Sequence, residues 1–280
     1  MNIFLWVSYF TILVATDCFT KLSSKKLLEG ASYPVFFATK GIVACIFFLF
    51  TSKLQLGLDS VSAIFSFLYA LVVLLTVYSN MKTLQAIPVA YKSVILSFVS
   101  LFVTSSLGVI LFNESLSFRI VLRIIIMFAA SLLIFFERKS KEGFKKFPFL
   151  PLLGCIVASI GNFLALRYYT KIPHTTSNST FFFYTNLFTV LLSILYLLIK
   201  REKFNFSFKK YFPAFGSTIC SNANSLISLL LIACTPAVIY NPFCSALAIL
   251  GAVVVSFFYR EKIGKLTFIA ALLSIIAVVI

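Results

Sequence analysis

Residues Val61–Asn80 read VSAIFSFLYALVVLLTVYSN, a run without a charged side chain. An α-helix needs about 20 predominantly apolar residues to cross the roughly 30 Å hydrocarbon core of a bilayer. The central part of this run, Leu71–Leu75, is apolar at every position. A membrane-spanning β-strand would instead alternate apolar and polar residues. The stretch therefore predicts a transmembrane helix.

The composition of the whole chain has the same character. Of its 280 residues, 61% are hydrophobic and 11% are charged, and the mean hydropathy is +1.05. Soluble domains carry about 25% charged residues. The composition therefore excludes an ordinary water-soluble enzyme and a disordered chain, and it predicts an all-α integral membrane protein.

Apolar runs between charged or Pro-, Asn- and Ser-rich breaks predict ten such helices with short connections. The first run is expected to be a genuine span rather than a cleaved signal peptide, because no basic segment precedes it and it contains Asp17. The predicted spans are approximately Ile3–Leu22, Pro34–Thr51, Val61–Asn80, Val89–Phe112, Phe118–Phe136, Pro148–Arg167, Thr176–Ile199, Phe212–Cys234, Ala237–Phe258 and Ile263–Ile280.

The basic residues lie mainly in the connections between these spans. The chain has 24 Lys and Arg against 8 Asp and Glu, a net charge of +16. Seventeen of the basic residues follow odd-numbered spans and five follow even-numbered spans. Cytoplasmic connections of membrane proteins are enriched in Lys and Arg. The distribution therefore predicts cytoplasmic odd-numbered connections and both termini outside, and it does not indicate a nucleic-acid partner.

The two halves of the sequence resemble each other. Glu114 follows the fourth span and Glu261 follows the ninth, 147 residues later, and a proline precedes each glutamate by 25 or 26 residues. We expect each glutamate to support the N-terminus of the following helix. The correspondence divides the chain into a first repeat, residues 1–140, and a second, residues 141–280. Since each repeat has five spans, the second enters the membrane in the opposite direction, which predicts inverted repeats with a substrate site between them.

These features resemble those of a known group of proteins. Ten spans in two repeats, a glutamate at each hairpin between the fourth and fifth spans of a repeat, and the segments Pro236–Phe243 and Phe258–Ile263 are similar to the drug/metabolite transporter superfamily, EamA-like branch. The resemblance implies a transporter that works by alternating access, with the fifth and tenth spans at the periphery or at a homodimer contact. Phe183-Tyr184-Thr185-Asn186 is also similar to the Phe-Tyr-Asn-Asn motif of nucleotide-sugar transporters for GDP-mannose. An exchanger of nucleotide-sugars or sugar phosphates is therefore the alternative.

Three charged side chains inside predicted spans stand out, because a central Asp, Lys or Arg costs about 2.5–3.5 kcal/mol on insertion scales. Asp17, Lys40 and Lys92 all lie about 6–10 Å below the face formed by the odd-numbered connections. A cluster of these three residues in a cavity would suit an anionic or zwitterionic substrate. Other interpretations stay open: Lys92 extends to the interface, Asp17 neutralises Lys21, or Asp17 and Lys40 form a structural pair.

The corresponding positions of the second half are neutral. Their amides and hydroxyls are expected to orient a ligand, and the alternative is hydrogen bonding between helices. Two tyrosines are expected beside the cavity, with ordinary aromatic packing as the alternative. The candidate substrate-binding residues are Lys40, Lys92, Asp17, Tyr91, Asn162, Tyr184, Asn186, Asn222, Tyr240 and Asn241.

Patterns typical of catalysis or cofactor binding are not found in the sequence. The single histidine, His174, lies in a polar connection, and the six cysteines show no Cys-x-x-Cys spacing. No Gly-rich phosphate loop is present, so transport is expected to be driven by a gradient or by exchange. We therefore expect a transporter of a small polar metabolite, without metal or cofactor, in a bacterial inner membrane. A non-transporting scaffold or an intramembrane enzyme is the alternative of another class.

Overall fold

The computed structural model describes residues 3–53, 56–112, 118–142, 149–173, 175–201, 206–234, 237–261 and 264–279. Within these ranges the chain forms ten α-helices and no β-strand. The helices are α1 (Ile3–Leu28), α2 (Tyr33–Thr51), α3 (Ser60–Ala86), α4 (Val89–Phe112), α5 (Phe118–Glu142), α6 (Phe149–Lys171), α7 (Asn178–Lys200), α8 (Phe208–Cys234), α9 (Ala237–Phe258) and α10 (Lys265–Val279).

The all-α prediction is confirmed for the described residues. Four helices, α1, α2, α3 and α7, are long and apolar enough to cross a membrane by their length and composition. Many large apolar side chains of the described helices lie on the outside of the molecule, as Phe4, Phe50 and Leu198 do. Such a surface is typical of a protein whose helices face lipid.

Three helices end later than the apolar runs that predict them. The structure extends α1 to Leu28, α3 to Ala86 and α5 to Glu142, six residues beyond each predicted span. The span prediction counts only residues that lipid accepts, whereas Lys and Glu are good helix formers in water. Depths counted from the predicted span ends are therefore not depths from the helix ends.

The principal helix contacts run between the two halves of the chain. The most extensively packed pairs are α2 with α7, α1 with α8, α3 with α6, α5 with α10, α3 with α7, and α4 with α9. Each helix of the first half has a counterpart five positions later in the chain, α1 with α6, α2 with α7, and so on. When both helices of a contacting pair are replaced by their counterparts, another contacting pair results: α1–α8 becomes α6–α3, α3–α7 becomes α8–α2, and α1–α9 becomes α6–α4. Each helix of the second half also begins 145–148 residues after its counterpart in the first.

Small residues allow two of these pairs to approach closely. A Cβ added to Gly41, in α2, would lie 2.5 Å from Val190 Cγ2 and 3.1 Å from the carbonyl oxygen of Asn186, both in α7. A Cβ added to Gly154, in α6, would collide with the side chain of Ser79 in α3. Interfaces between membrane helices are enriched in small residues for this reason. The α2–α7 and α3–α6 pairs therefore depend on glycine at these positions.

One end of the bundle is held by a buried ion pair, and we call it the Lys21 end. Lys21 Nζ, in α1, lies 2.7 Å from Glu261 Oε1 and donates a hydrogen bond to the carbonyl oxygen of Leu84, near the end of α3, at 2.8 Å. The Glu261 carboxylate also accepts from the Val89 N–H, at the start of α4, at 3.0 Å and from the Ser256 hydroxyl at 2.8 Å. A single carboxylate thus ties together α1, α4 and the end of α9.

The expectation that Glu261 supports the following helix is therefore wrong. Its carboxylate caps the N-terminus of α4, which lies beside α9. The carboxylate that accepts hydrogen bonds at the start of α10 is that of Glu137, in α5. Glu137 accepts from the Thr267 N–H at 2.8 Å and from the Thr267 hydroxyl at 2.6 Å. The partner of Lys21 is likewise Glu261 rather than Asp17. Glu114 lies outside the described residues.

The opposite end of the bundle is held by a hydroxyl-rich cluster, and we call it the Asp59 end. Asp59 is the N-cap of α3 and accepts from the Ser62 N–H at 3.0 Å and from the Ser62 hydroxyl at 2.7 Å. It also accepts from the backbone N–H of Thr176 at 3.2 Å and from the Thr176 hydroxyl. Since α3 runs from this cap past Leu84, the two ends are separated by about 37 Å at 1.5 Å per residue.

Candidate functional site

A polar cavity of about 260 Å³ lies between the two ends, enclosed by α1, α2, α3, α7 and α8. Three of these helices belong to the first half of the chain and two to the second. The polar side chains of its wall are those of Thr16, Thr20, Lys40, Tyr69, Asn80, Thr185, Asn186, Thr189, Thr218, Ser221, Asn222 and Ser225. The aromatic part of the wall is formed by Phe37, Phe48, Tyr69 and Phe182.

Among the described residues that line this cavity, Lys40 alone is charged. It is the eighth of the nineteen residues of α2, and so it lies near the middle of the helix. Its ammonium is 5.8 Å from the centre of the Phe36 ring. Within the described part of the chain, no ion pair or hydrogen bond of the Lys40 side chain is formed. The cavity therefore holds a cation without a counter-charge of its own.

Two asparagine side chains present opposite hydrogen-bonding groups to the cavity. Asn186 donates from Nδ2 to the carbonyl oxygen of Phe182 at 2.8 Å, which leaves its Oδ1 to accept. Asn222 is only 9% exposed, and its Nδ2 has no hydrogen-bond partner. An unsatisfied buried amide costs free energy. Asn186 thus offers an amide acceptor to a bound molecule, whereas the unsatisfied Asn222 Nδ2 becomes a donor to it only if the side chain turns toward the cavity.

The hydroxyls of the wall are available mainly as acceptors. The hydroxyls of Thr189, Thr218 and Ser225 each donate to the backbone carbonyl four residues earlier in their own helix, at 2.7–3.0 Å. The Ser221 hydroxyl donates to Thr218, three residues earlier, at 3.0 Å. A hydroxyl used in this way keeps lone pairs that can accept a hydrogen bond. These side chains therefore add neutral acceptors to the Lys40 ammonium and the Asn222 amide.

One wall of the cavity is aromatic and apolar. Phe48 and Phe182 stack with ring centres 5.3 Å apart, and Tyr69 lies 6.2 Å from Phe182. Rings of this kind pack against the carbon skeleton of a ligand and give it a defined orientation. The cavity therefore has a polar part and an apolar part, which is typical of sites for small organic molecules.

A second, wider depression adjoins the cavity on the outside of α2, α3 and α7. This crevice has a volume of about 750 Å³ and is lined by Tyr33, Tyr78, Lys82 and Tyr196 among others. Lys82 lies over the Tyr33 ring, 5.1 Å from its centre. Phe37 and Leu74 line both the crevice and the cavity. These two side chains thus form a shared wall between the cavity and the crevice.

The structure separates the charged residues that the sequence groups together. Lys40, Asn186 and Asn222 line the cavity, whereas Asp17 and Lys92 do not. Lys92 is the charge that acts on Asp17, but the two side chains form no ion pair within the described structure. Lys92 is 7% exposed, so it does not extend to the interface as the alternative interpretation proposes. The expected cluster of three charges is thus divided into an Asp17–Lys92 interaction and an isolated Lys40.

The other candidate residues have structural surroundings. Tyr91 is buried in a hydrophobic cluster with Ile87, Val94 and neighbouring side chains. Asn162 donates to the Thr76 hydroxyl at 3.1 Å and so links α6 to α3. The Tyr184 hydroxyl donates to the carbonyl oxygen of Leu56 at 2.8 Å, on the connection that precedes α3. The side chains of Tyr240 and Asn241 lie outside the described part of the structure.

Sequence reasoning missed most of the hydroxyl groups of the wall, although a signal for them exists. Thr185 and Thr189 are four residues apart in α7, and Thr218, Ser221, Asn222 and Ser225 follow the same helical spacing in α8. Small polar residues at this spacing form one stripe along an otherwise apolar helix. Two such stripes on helices that face each other would have indicated a polar cavity.

No protein-family model matches the chain, and no curated protein matches it in sequence.

Proposed function

We propose that the chain is a secondary transporter that moves a small polar metabolite by alternating access, with its ten helices arranged as two inverted five-helix repeats. The observation that carries the proposal is the polar cavity. It lies between helices of both halves, away from both ends of the bundle, and contains an unpaired cation and an unpaired amide. Polar groups at membrane depth are costly, and they are typical of substrate pathways.

The helix pairing supports an arrangement in repeats. Most contacting pairs become contacting pairs again when each helix is replaced by its counterpart five positions away, and the helix starts are separated by a nearly constant 145–148 residues. Inverted repeats place the substrate site between the two halves and allow each half to move against the other. With the resemblance stated above, this supports our proposal that the chain is a member of the drug/metabolite transporter superfamily, EamA-like branch; a bacterial inner membrane is proposed from the short connections of the sequence alone.

The cavity volume favours a small metabolite over the alternative of a nucleotide-sugar. Pockets for drug-sized ligands have volumes of about 300–1,000 Å³, and this one has about 260 Å³. A nucleotide-sugar would bring a base, two sugars and two charged phosphates to a site with one cation. The motif Phe183-Tyr184-Thr185-Asn186 contributes Thr185 and Asn186 to the wall, and these groups serve a small polar ligand equally well.

Alternating access can be tested without knowing the substrate. In a cysteine-free variant, Ser221→Cys places a thiol on the cavity wall, and Ser274→Cys places one between helices away from it, since Ser274 is buried in α10. We expect a membrane-impermeant thiol reagent to label Cys at position 221 from either side of the membrane and not at position 274. Labelling of position 221 from one side alone would contradict alternating access and favour a scaffold or an intramembrane enzyme.

Transport itself is tested in liposomes. The purified chain is assayed for uptake of amino acids, purines, sugar phosphates and nucleotide-sugars, each against protein-free vesicles. We expect at least one small polar solute to cross. If position 221 is labelled from one side alone and no solute crosses, the proposal fails.

The proposed orientation needs a separate experiment. Lys25 follows α1's apolar part and Lys53 follows α2, and both are exposed. We expect Lys53→Cys to be labelled in intact cells and Lys25→Cys only after the cells are permeabilised, because the Lys- and Arg-rich connections face the cytoplasm. The reverse result would overturn the orientation and leave the transport proposal unaffected.

A further inference from the structure

We propose that the cavity selects small organic monoanions that carry a hydrogen-bond donor, with Lys40 as the counter-charge, Asn222 as a second donor to the anion, and Asn186 as the acceptor. This inference rests on the proposed transport function and adds the chemical class of the substrate. A 2-hydroxycarboxylate is the simplest molecule of this class.

The charge of the site is the first step. Among the described residues of the wall Lys40 alone is charged, and its ammonium has no ion pair within the described structure. An ammonium without a counter-charge inside a helix bundle is costly, and an anionic ligand compensates it. Asp17 does not line the cavity, and the charge that acts on it is Lys92. The site therefore carries one unit of positive charge that a monoanion would neutralise.

The two asparagines define where the hydrogen bonds of such a ligand go. Asn222 lines the cavity, and its Nδ2 is buried without a partner, so a turn of this side chain toward the cavity would let a carboxylate accept from it as well as from Lys40. Asn186 uses its Nδ2 to donate to Phe182, so its Oδ1 is an acceptor. Five hydroxyls that α7 and α8 contribute to the wall already donate within their own helices. A ligand that brings only acceptors would leave Asn186 unsatisfied, whereas a ligand with a hydroxyl donor satisfies it.

A zwitterion matches the site less well than an anion. An amino acid would place its ammonium in the same cavity as Lys40, among neutral oxygens and aromatic rings and without a carboxylate. Repulsion between the two cations and the missing counter-charge both oppose binding. Of the two substrate classes that the sequence allows, the geometry therefore points to the anion.

The experiment uses ligands with one carbon skeleton. The purified full-length protein is titrated with 2-hydroxy-4-methylpentanoate, its amide, leucine, and 4-methylpentanoate, and stabilisation is followed by thermal shift. These four are a monoanion with a donor, a neutral molecule, a zwitterion, and a monoanion without a donor. The shorter 2-hydroxy acids, glycolate and lactate, are measured beside their amides and amino acids. We expect the hydroxy acids to bind at least about tenfold more tightly than each of the other members of their sets.

Variants of the wall then test the assigned roles. We expect Lys40→Met to weaken binding of the hydroxy acid by about 100-fold. Lys82→Met, in the crevice outside the cavity, is the matched control and leaves binding within about twofold of the wild type. Asn222→Asp places a carboxylate in the same cavity as Lys40, so we expect it to weaken hydroxy-acid binding at least about tenfold and to improve binding of leucine.

The failures of the two proposals can be told apart. If leucine or the amide binds as tightly as the hydroxy acid, or if no hydroxy acid stabilises the protein, the monoanion assignment is wrong. The transport proposal then still stands, provided that position 221 is labelled from both sides and that another solute of the liposome panel crosses. One-sided labelling of position 221, together with no solute crossing in liposomes, would instead overturn the transport function on which this inference rests.

Discussion

Lys21 in α1 and Lys40 in α2 both lie inside the helix bundle, but their surroundings differ. Lys21 is 8% exposed, lies 2.7 Å from Glu261, and donates to the carbonyl oxygen of Leu84. Lys40 is half-buried and faces a cavity, its ammonium lies 5.8 Å from the centre of the Phe36 ring, and it forms no ion pair or hydrogen bond within the described residues. Lys21 has all the partners of a structural residue. Lys40 lacks them, as expected of a residue whose partner is a ligand.

The difference shows that the role of a lysine inside the bundle is indicated by the groups that it contacts. A lysine that is fully paired contributes to holding helices together, and removal of its partner leaves a buried charge uncompensated. A lysine that is unpaired raises the free energy of the empty protein, which binding of an anion recovers. The two residues therefore predict opposite responses to the same substitution.

The largest effect is expected for Lys21→Met, which leaves the Glu261 carboxylate without its cation. Breaking one partner of a buried ion pair typically costs about 3–5 kcal/mol. We expect a loss of stability of this size in detergent, measured by thermal or denaturant unfolding. The double variant Lys21→Met with Glu261→Gln removes both charges and should recover part of the loss.

A matched control for Lys21 is provided by an exposed pair in the same helix. Lys26 lies 2.6 Å from Glu29, but the two side chains are 33% and 60% exposed. Exposed pairs contribute about 0–1 kcal/mol. Lys26→Met should therefore change the stability by less than about 1 kcal/mol. Equal losses for Lys21→Met and Lys26→Met would show that burial of the Lys21–Glu261 pair has no energetic consequence.

The next effect concerns the helix contact beside Lys40. Gly41→Ala would bring a Cβ to 2.5 Å from Val190 Cγ2, with the Asn186 carbonyl oxygen at 3.1 Å, so α2 and α7 must move apart. Overpacking of this kind typically costs about 1–3 kcal/mol. Gly57→Ala is the control, since no atom lies within 4 Å of an added Cβ. Similar unfolding midpoints for the two variants would contradict a close contact between α2 and α7 at Gly41.

The sequence predicts the helices of this fold well, because each helix corresponds to one apolar run that can be identified without knowledge of the rest of the chain. The bounds of α2, α4 and α9 coincide with the predicted spans to within one residue. Lys40 could be found as a candidate because a charge in the middle of an apolar run needs no knowledge of the rest of the chain. Proline, glycine and charge at the ends of runs supply the remaining boundaries.

Contacts between helices could not be predicted in the same way. Glu261 lies 240 residues from Lys21 along the chain, and its carboxylate reaches α4 only because α4 and α9 are neighbours. Lys21 itself is treated as a connection residue when spans are counted by hydropathy. The separation of Lys40 from Asp17 and Lys92 likewise depends on the rotation of each helix about its own axis. That rotation cannot be predicted from apolar runs that have little amphipathic pattern.

A smaller effect on stability is expected at the Asp59 end, because the Asp59 carboxylate accepts hydrogen bonds from neutral groups and is not paired with a cation. Hydrogen bonds from the Thr176 hydroxyl, and then from the hydroxyl and N–H of Ser62, hold the pKa of Asp59 below its ordinary value of 3.8. A group whose pKa is lowered by folding stabilises the protein above its unfolded pKa, and this stability is lost as the pH falls. We expect wild type to be more stable than Asp59→Asn at about pH 7, with a difference that narrows below about pH 4. Parallel pH profiles of the unfolding midpoints for the two proteins would contradict this role for Asp59.

The smallest effect on stability is expected for Lys40→Met, which is the direct counterpart of Lys21→Met. Methionine is close in length to lysine, so the cavity wall keeps its packing while an unpaired ammonium is removed. Replacement of buried charges by apolar groups of similar volume is often neutral or stabilising. We therefore expect the unfolding midpoint of ligand-free Lys40→Met to equal or exceed that of the wild type, in contrast to the loss of about 3–5 kcal/mol in Lys21→Met. A loss of similar size in both variants would show that Lys40 has a structural partner, and the distinction between the two lysines would then fail.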